Sequence, residues 1–70
     1  MSMKYQQKEI EAIQDRYTYF IVTGYLYKKS KRKSRFAYLT FKEATYMNIW
    51  NMNIWGVNRY GRKELLQTTI

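Results

Sequence analysis

The sequence contains no cysteine and no histidine. No disulfide can brace the fold, and the commonest metal-ligand patterns have nothing to work with. Acids are also scarce, with five Asp+Glu against 13 Lys+Arg. Three of them, Glu9, Glu11 and Asp15, fall in one short helical segment, and Glu43 suits a helix cap. What remains offers no paired carboxylates, no nucleophile beside a histidine base and no glycine-rich phosphate loop. The expectation is a protein that is not an enzyme and carries no cofactor and no metal. One catalytic class needs none of the missing groups: a small toxin ribonuclease working with Arg, Lys and Tyr alone. Its candidates here are Arg59, Tyr60, Arg62 and Lys63.

Long apolar runs are absent too. None approaches the roughly 18 residues that a membrane helix needs, so no membrane association is expected. The opening "MSMKYQQKEIEAIQ" is polar and of mixed charge, unlike a secretory signal. A cytoplasmic setting fits both readings.

What is present is aromatic and basic. The 70 residues leave room for one domain, residues 1–70. A domain of this size buries only about 60% of the surface its unfolded chain exposes. Eight tyrosines and two tryptophans bring much buried area per residue, one way to stabilise so small a core; an oligomer is another, so a homodimer stays open. The net charge is +8, and the first 16 residues cancel internally. The whole excess therefore lies in residues 17–70, which favours an anionic partner: nucleic acid, RNA or DNA, or an acidic surface on a host nucleoprotein complex.

Residues 4–15 read as a helix, with Ile10, Ile13 and Tyr17 at the spacing of one apolar face and Met3 before them. Residues 17–28, "YTYFIVTGYLYK", read as a strand. Tyr17, Tyr19, Ile21, Tyr25 and Tyr27 fall on one face, and Phe20, Val22 and Leu26 on the other; Gly24 marks a bulge or a close backbone approach. A basic turn follows, with six positive charges in the eight positions 28–35, and "RFAYLTF" reads as the returning strand. Thr40 and Glu43 have capping-box spacing and start a helix placed over 41–50. A strand "NIWGVN", a turn "NRYGRK" and a strand "ELLQTTI" complete the chain. The fold class is α+β: an antiparallel sheet of about four strands with two short helices, in the order α-β-β-α-β-β.

Within this layout "MNIW" occurs twice, at 47–50 and 52–55. Five residues turn a helix by about 140° beyond a full turn, and an odd offset in a strand reverses the face. Neither regular structure puts Trp50 and Trp55 together. The spacing predicts one helical copy and one extended copy, with a break at Asn51, which tolerates the left-handed conformation of a helix exit.

The basic turn is the clearest functional signal. Lys28, Lys29, Lys31, Arg32, Lys33 and Arg35 repel one another and contribute nothing evident to folding. They could neutralise phosphates, or keep a sheet edge soluble and unpaired. Arg59, Arg62 and Lys63 form a second cluster in the other hairpin. Phe36 and Tyr38 share a strand face and, with Tyr25, are candidate stacking or interface residues; core packing is the competing role.

Two resemblances add to this. Phe36, Ala37, Tyr38, Leu39 and Phe41 resemble the aromatic signature strand of RNA-recognition-motif domains, and "YFIVTGYL" is similar to that family's other core strand. Arg35 stands where that signature has glycine and Ser34 where it has a base, and a tight turn replaces the helix and strand that family places between the two segments. Residues 36–70 also resemble the layout of small phage-encoded anti-CRISPR proteins: a strand, a short helix beginning at Thr40 with Ala44, then a hairpin with Trp55 and Gly61. That likeness implies a small regulatory or inhibitory protein, encoded by a phage or mobile element, acting on a nucleic-acid-handling complex. Direct binding of RNA or single-stranded DNA is the alternative.

Overall fold

The computed structural model describes residues 6–68. Its elements run α1 (Gln7–Arg16), β1 (Tyr19–Tyr25), β2 (Ser34–Tyr38), α2 (Phe41–Thr45), β3 (Trp50–Val57) and β4 (Lys63–Thr68). The strands form one antiparallel sheet in the order β2-β1-β3-β4, and the predicted α+β order is the observed one. Met3 and residues 4–5 of the expected first helix, and residues 69–70 of the last strand, lie outside the described residues.

Register assigns the faces, because residues opposite one another in a ladder point the same way. Phe20 and Val22 face the same side as Tyr38, Phe36, Gly56 and Ile54. On that side lie the two helices. Ile10 from α1 and Phe41 and Ala44 from α2 join Phe20, Val22, Met52 and Ile54 in one buried cluster. The Phe20 and Phe41 rings meet at 5.4 Å. Gln14 ties the helical layer to the sheet's exit. Its side-chain carbonyl accepts from the Phe41 N–H at 2.7 Å, one of the donors that a helix start leaves unpaired, and its amide donates to the Leu39 carbonyl at 3.1 Å.

The expected helix over 41–50 stops at Thr45. Its start is as predicted: the Thr40 hydroxyl accepts from the Glu43 N–H at 3.2 Å. It ends because the last turn tightens, with the Tyr46 N–H on the Glu43 carbonyl, and because the Thr45 hydroxyl takes the Lys42 carbonyl at 2.7 Å. Of the residues that follow, Tyr46, Asn48, Ile49 and Trp50 are weak helix formers, and Met47 alone favours a helix. The first "MNIW" is therefore not helical. Residues 47–49 are irregular and Trp50 already opens β3. Asn51 does adopt the left-handed conformation, φ 50°, but inside the strand. Between Thr23 and Tyr25 on β1, β3 runs from Asn53 to Trp50, three steps against two. That extra residue is a β-bulge. Gly24 accommodates it: a Cβ there would lie 2.8 Å from the Trp50 carbonyl oxygen.

Strand β1 is shorter than the expected 17–28 at both ends. Leu26 and Tyr27 lie in the exposed β1–β2 connection. Tyr17 sits before the strand and on the helical side, not with Tyr19 and Ile21. Its ring lies directly over Gly56, where a Cβ would come within 2.7 Å of it, and packs edge-on against Phe20 at 6.0 Å. Its hydroxyl donates to the Glu64 carboxylate on β4 at 3.2 Å. One side chain thus links the end of α1, the middle of the sheet and an edge strand.

Three outcomes follow for stability. Gly56→Ala drives a methyl into the buried Tyr17 ring and should cost about 1–3 kcal/mol in urea unfolding. Asn51→Val, forced to positive φ, should cost about 1–2 kcal/mol, whereas Asn51→Gly should be close to neutral. Burial, then the neighbouring Glu64 carboxylate, raises the Tyr17 phenol above its ordinary 10.0, partly offset by Arg16. The folded-state pKa exceeds the unfolded one, so this contribution is intact below pH 10 and is lost as pH climbs through the folded value. Tyr17→Phe should accordingly flatten the alkaline fall in stability relative to the parent, measured by urea midpoints between about pH 8 and 11.

Candidate nucleic-acid interface

The second face of the sheet has no helix on it among the described residues. Tyr19, Ile21, Thr23 and Tyr25 line it from β1, Arg35 and Ala37 from β2, and Asn53, Trp55 and Val57 from β3. Lys63, Leu65 and Thr68 complete it on β4. Trp50 lies opposite Tyr25 and Trp55 opposite Ile21. The five-residue offset between the tryptophans is thus matched to four residues of β1. The bulge at Asn51 turns an odd offset into an even one, and both indoles arrive on the open face. Ile21 and Val57 lie beneath the larger groups, each 3% exposed, while Trp50 is 51% exposed.

Each indole has a lysine over it. The Lys28 ammonium is 5.7 Å from the Trp50 ring centre, and the Lys63 ammonium is 4.6 Å from that of Trp55. Such pairs contribute about 0.5–1 kcal/mol at exposed sites. Trp55 is also anchored from below, its indole N–H donating to the Thr23 hydroxyl at 3.2 Å. Trp55 is thus tethered at its N–H as well as covered by Lys63, while Trp50 stands half exposed beneath Lys28.

Charge is divided between the two layers. Glu9, Glu11 and Asp15 are on α1, Glu43 is on α2, and Glu64 lies opposite Gly56 on the helical side of β4. All five acids of the chain are therefore on the helical side, and the open face has none. The nine cations singled out from the sequence belong to the sheet and its two hairpin turns. Lys29, Lys31, Arg32 and Lys33 are exposed in the β1–β2 connection, and Arg35 faces the open side opposite Thr23. Arg59 and Arg62 lie in the β3–β4 turn, where the Asn58 side chain accepts from the Tyr60 and Arg62 N–H groups and Gly61 takes φ 81°. The two turns are at opposite ends of the sheet, and Lys28 and Lys63 bring each to the same face.

The predicted aromatic set divides. Tyr25 is on the open face, beside Trp50. Phe36 and Tyr38 do share a face, but it is the helix-covered one, and Tyr38 packs on the core. They do not lie beside the tyrosines of β1, because those point the other way. The stacking candidates that the sequence reading passed over are Trp50 and Trp55. Their signal was the asparagine between two odd-spaced copies, which marks a bulge as readily as a helix exit.

The four residues considered for a ribonuclease all belong to the β3–β4 turn and the start of β4. Arg59 and Tyr60 stack on each other at 5.1 Å and line an open cleft of about 420 Å³ with Asp15 and Arg16, while Lys63 lies over Trp55. Among the described residues no group of three or more acidic, Cys or His side chains could hold a metal, and no helix is long and apolar enough to cross a membrane. No family model, curated protein or solved structure matches the chain.

Proposed function

We propose that this chain is a non-enzymatic binding protein that engages nucleic acid through the open face of its sheet and the basic β1–β2 hairpin. The observation that carries the reading is the distribution of charge: nine cations on the sheet and its turns, and every acid on the helix-covered side, where Lys8, Arg16 and Lys42 accompany them. A cationic surface of this kind gains affinity by releasing counterions from phosphates. A small regulatory or inhibitory protein of a mobile element, acting on a nucleic-acid-handling complex, would use the same surface to grip the strand that the complex exposes.

Binding to a labelled oligonucleotide should weaken linearly in log affinity against log salt. The triple variant Lys29→Ala, Lys31→Ala, Lys33→Ala should reduce that slope by about 2 on single strands, at about 0.7 per lost phosphate contact. Fluorescence anisotropy across a salt series measures both. A variant matching the parent in affinity and slope would show that the hairpin tip is not the contact. Recovery of one stoichiometric acidic protein from nuclease-treated lysate, with no affinity for oligonucleotides, would replace nucleic acid with a protein surface.

A further inference from the structure

The charge division explains attraction to any phosphate polymer, duplex or single-stranded. It does not explain why two tryptophans stand on the same uncovered face. We infer, resting on the reading above, that the occupant is a single strand with unpaired bases, and that Trp50 and Trp55 are the stacking residues that select it.

The geometry gives three reasons. Both rings are on the face that lacks acids, and Trp50 is half exposed. Each has a lysine within cation–π range, so a base that stacks on the indole finds an ammonium at hand for its flanking phosphate. The same pair, an indole with a lysine, occurs at both ends of the face. Tyr25 beside Trp50 and Tyr19 beside Val57 extend the aromatic surface along β1. Paired bases would keep their faces inside a duplex, out of reach of these rings.

Spacing narrows the ligand further. The positions opposite the tryptophans, Ile21 and Tyr25, are four residues apart, about 13 Å along a strand. Neighbouring stacked nucleotides advance only about 3.4 Å. Two adjacent bases of a stacked helix cannot use both rings. The strand must run extended, unstacked between its two anchored bases, with intervening phosphates near Arg35 and the hairpin lysines. A flexible pyrimidine tract meets that requirement better than a stacked purine tract.

The test uses the whole chain with oligouridine, oligoadenine and a duplex of matched length. Expected are tighter binding to oligouridine than to the duplex and quenching of tryptophan emission in both single-tryptophan proteins, Trp50→Phe and Trp55→Phe. Trp50→Leu should lose between about 5- and 150-fold in single-strand affinity while the salt slope stays that of the parent. Trp50→Phe, which keeps a ring, should recover most of it. Because Trp55 is partly buried, its role is read from the quenching of its own emission in Trp50→Phe and from the affinity of Trp55→Phe, rather than from truncation. Equal binding to duplex and single strand without quenching would overturn the stacking role and leave the phosphate reading standing. A free protein whose indoles are already buried in a dimer, seen by sedimentation with blue-shifted emission, would also overturn it. Absence of binding to any oligonucleotide at low salt would remove both.

Discussion

The arrangement depends on one residue of positive φ inside β3. A strand alternates its faces with a period of two, so a five-residue repeat would ordinarily send its copies to opposite sides. The left-handed turn at Asn51 adds one residue and restores the alternation. As a result both copies of "MNIW" are used in the same way. Met47, Ile49, Met52 and Ile54 all pack on the core, and Trp50 and Trp55 both face out. Without the bulge, Trp50 would share a face with Met52 and Ile54, and the core would have to take an indole in place of Ile49. The small space above Gly24, filled by Ile49 and the Trp50 carbonyl, shows the core and the bulge fitted to each other.

The helical layer has a complementary task. It covers the core of one side of the sheet and leaves the other side open. Two helices, one of them five residues long, suffice because single side chains bridge several elements. Gln14 joins α1 to the start of α2, and Tyr17 joins the end of α1 to β3 and β4. The acids gather on this layer, where Glu43 pairs with the α2 cap and Glu64 receives the Tyr17 hydroxyl. Concentrating the acids there leaves the open face, with Arg35 and Lys63, free of acidic side chains, while Arg59 shares a cleft with Asp15. The mutual repulsion of the sheet's cations is screened only beyond about 8 Å at physiological salt, so it weakens the free fold and is relieved by an anion.

The fold class was legible because its signals are local and strong. Tyrosine and β-branched residues over 19–25, the Thr40–Glu43 cap and the glycine of the second hairpin each fix an element from within a few residues. The basic cluster was legible for the same reason. What could not be read was parity. Whether Phe36 and Tyr38 or Tyr19 and Tyr25 face the helices follows from register across three strands, and a single bulge reverses it. Tyr17 shows the same limit: its spacing suits both the helix and the strand, and only the glycine of a distant strand decides which side its ring takes. The sequence reading assigned Asn51 its conformation and missed its place, because the left-handed state ends helices and builds bulges equally well.

An exposed sheet face with two tryptophans invites self-association, and the lysines over the rings bear on this. A cation at about 5 Å covers the indole with charge, at a gain of about 0.5–1 kcal/mol. That is enough to favour the covered state in the free protein and to set like charges against a second copy. It is less than the roughly 1–3 kcal/mol that base stacking on an aromatic ring contributes. On the proposed reading a base would displace the lysine, and the displaced ammonium would not lose a partner, since a phosphate would come with the base. A hydrophobic surface that lacked phosphate would displace the same lysine into nothing. The pairing would thus discriminate by what accompanies the ring-stacking group, through Lys28 and Lys63 over the two indoles.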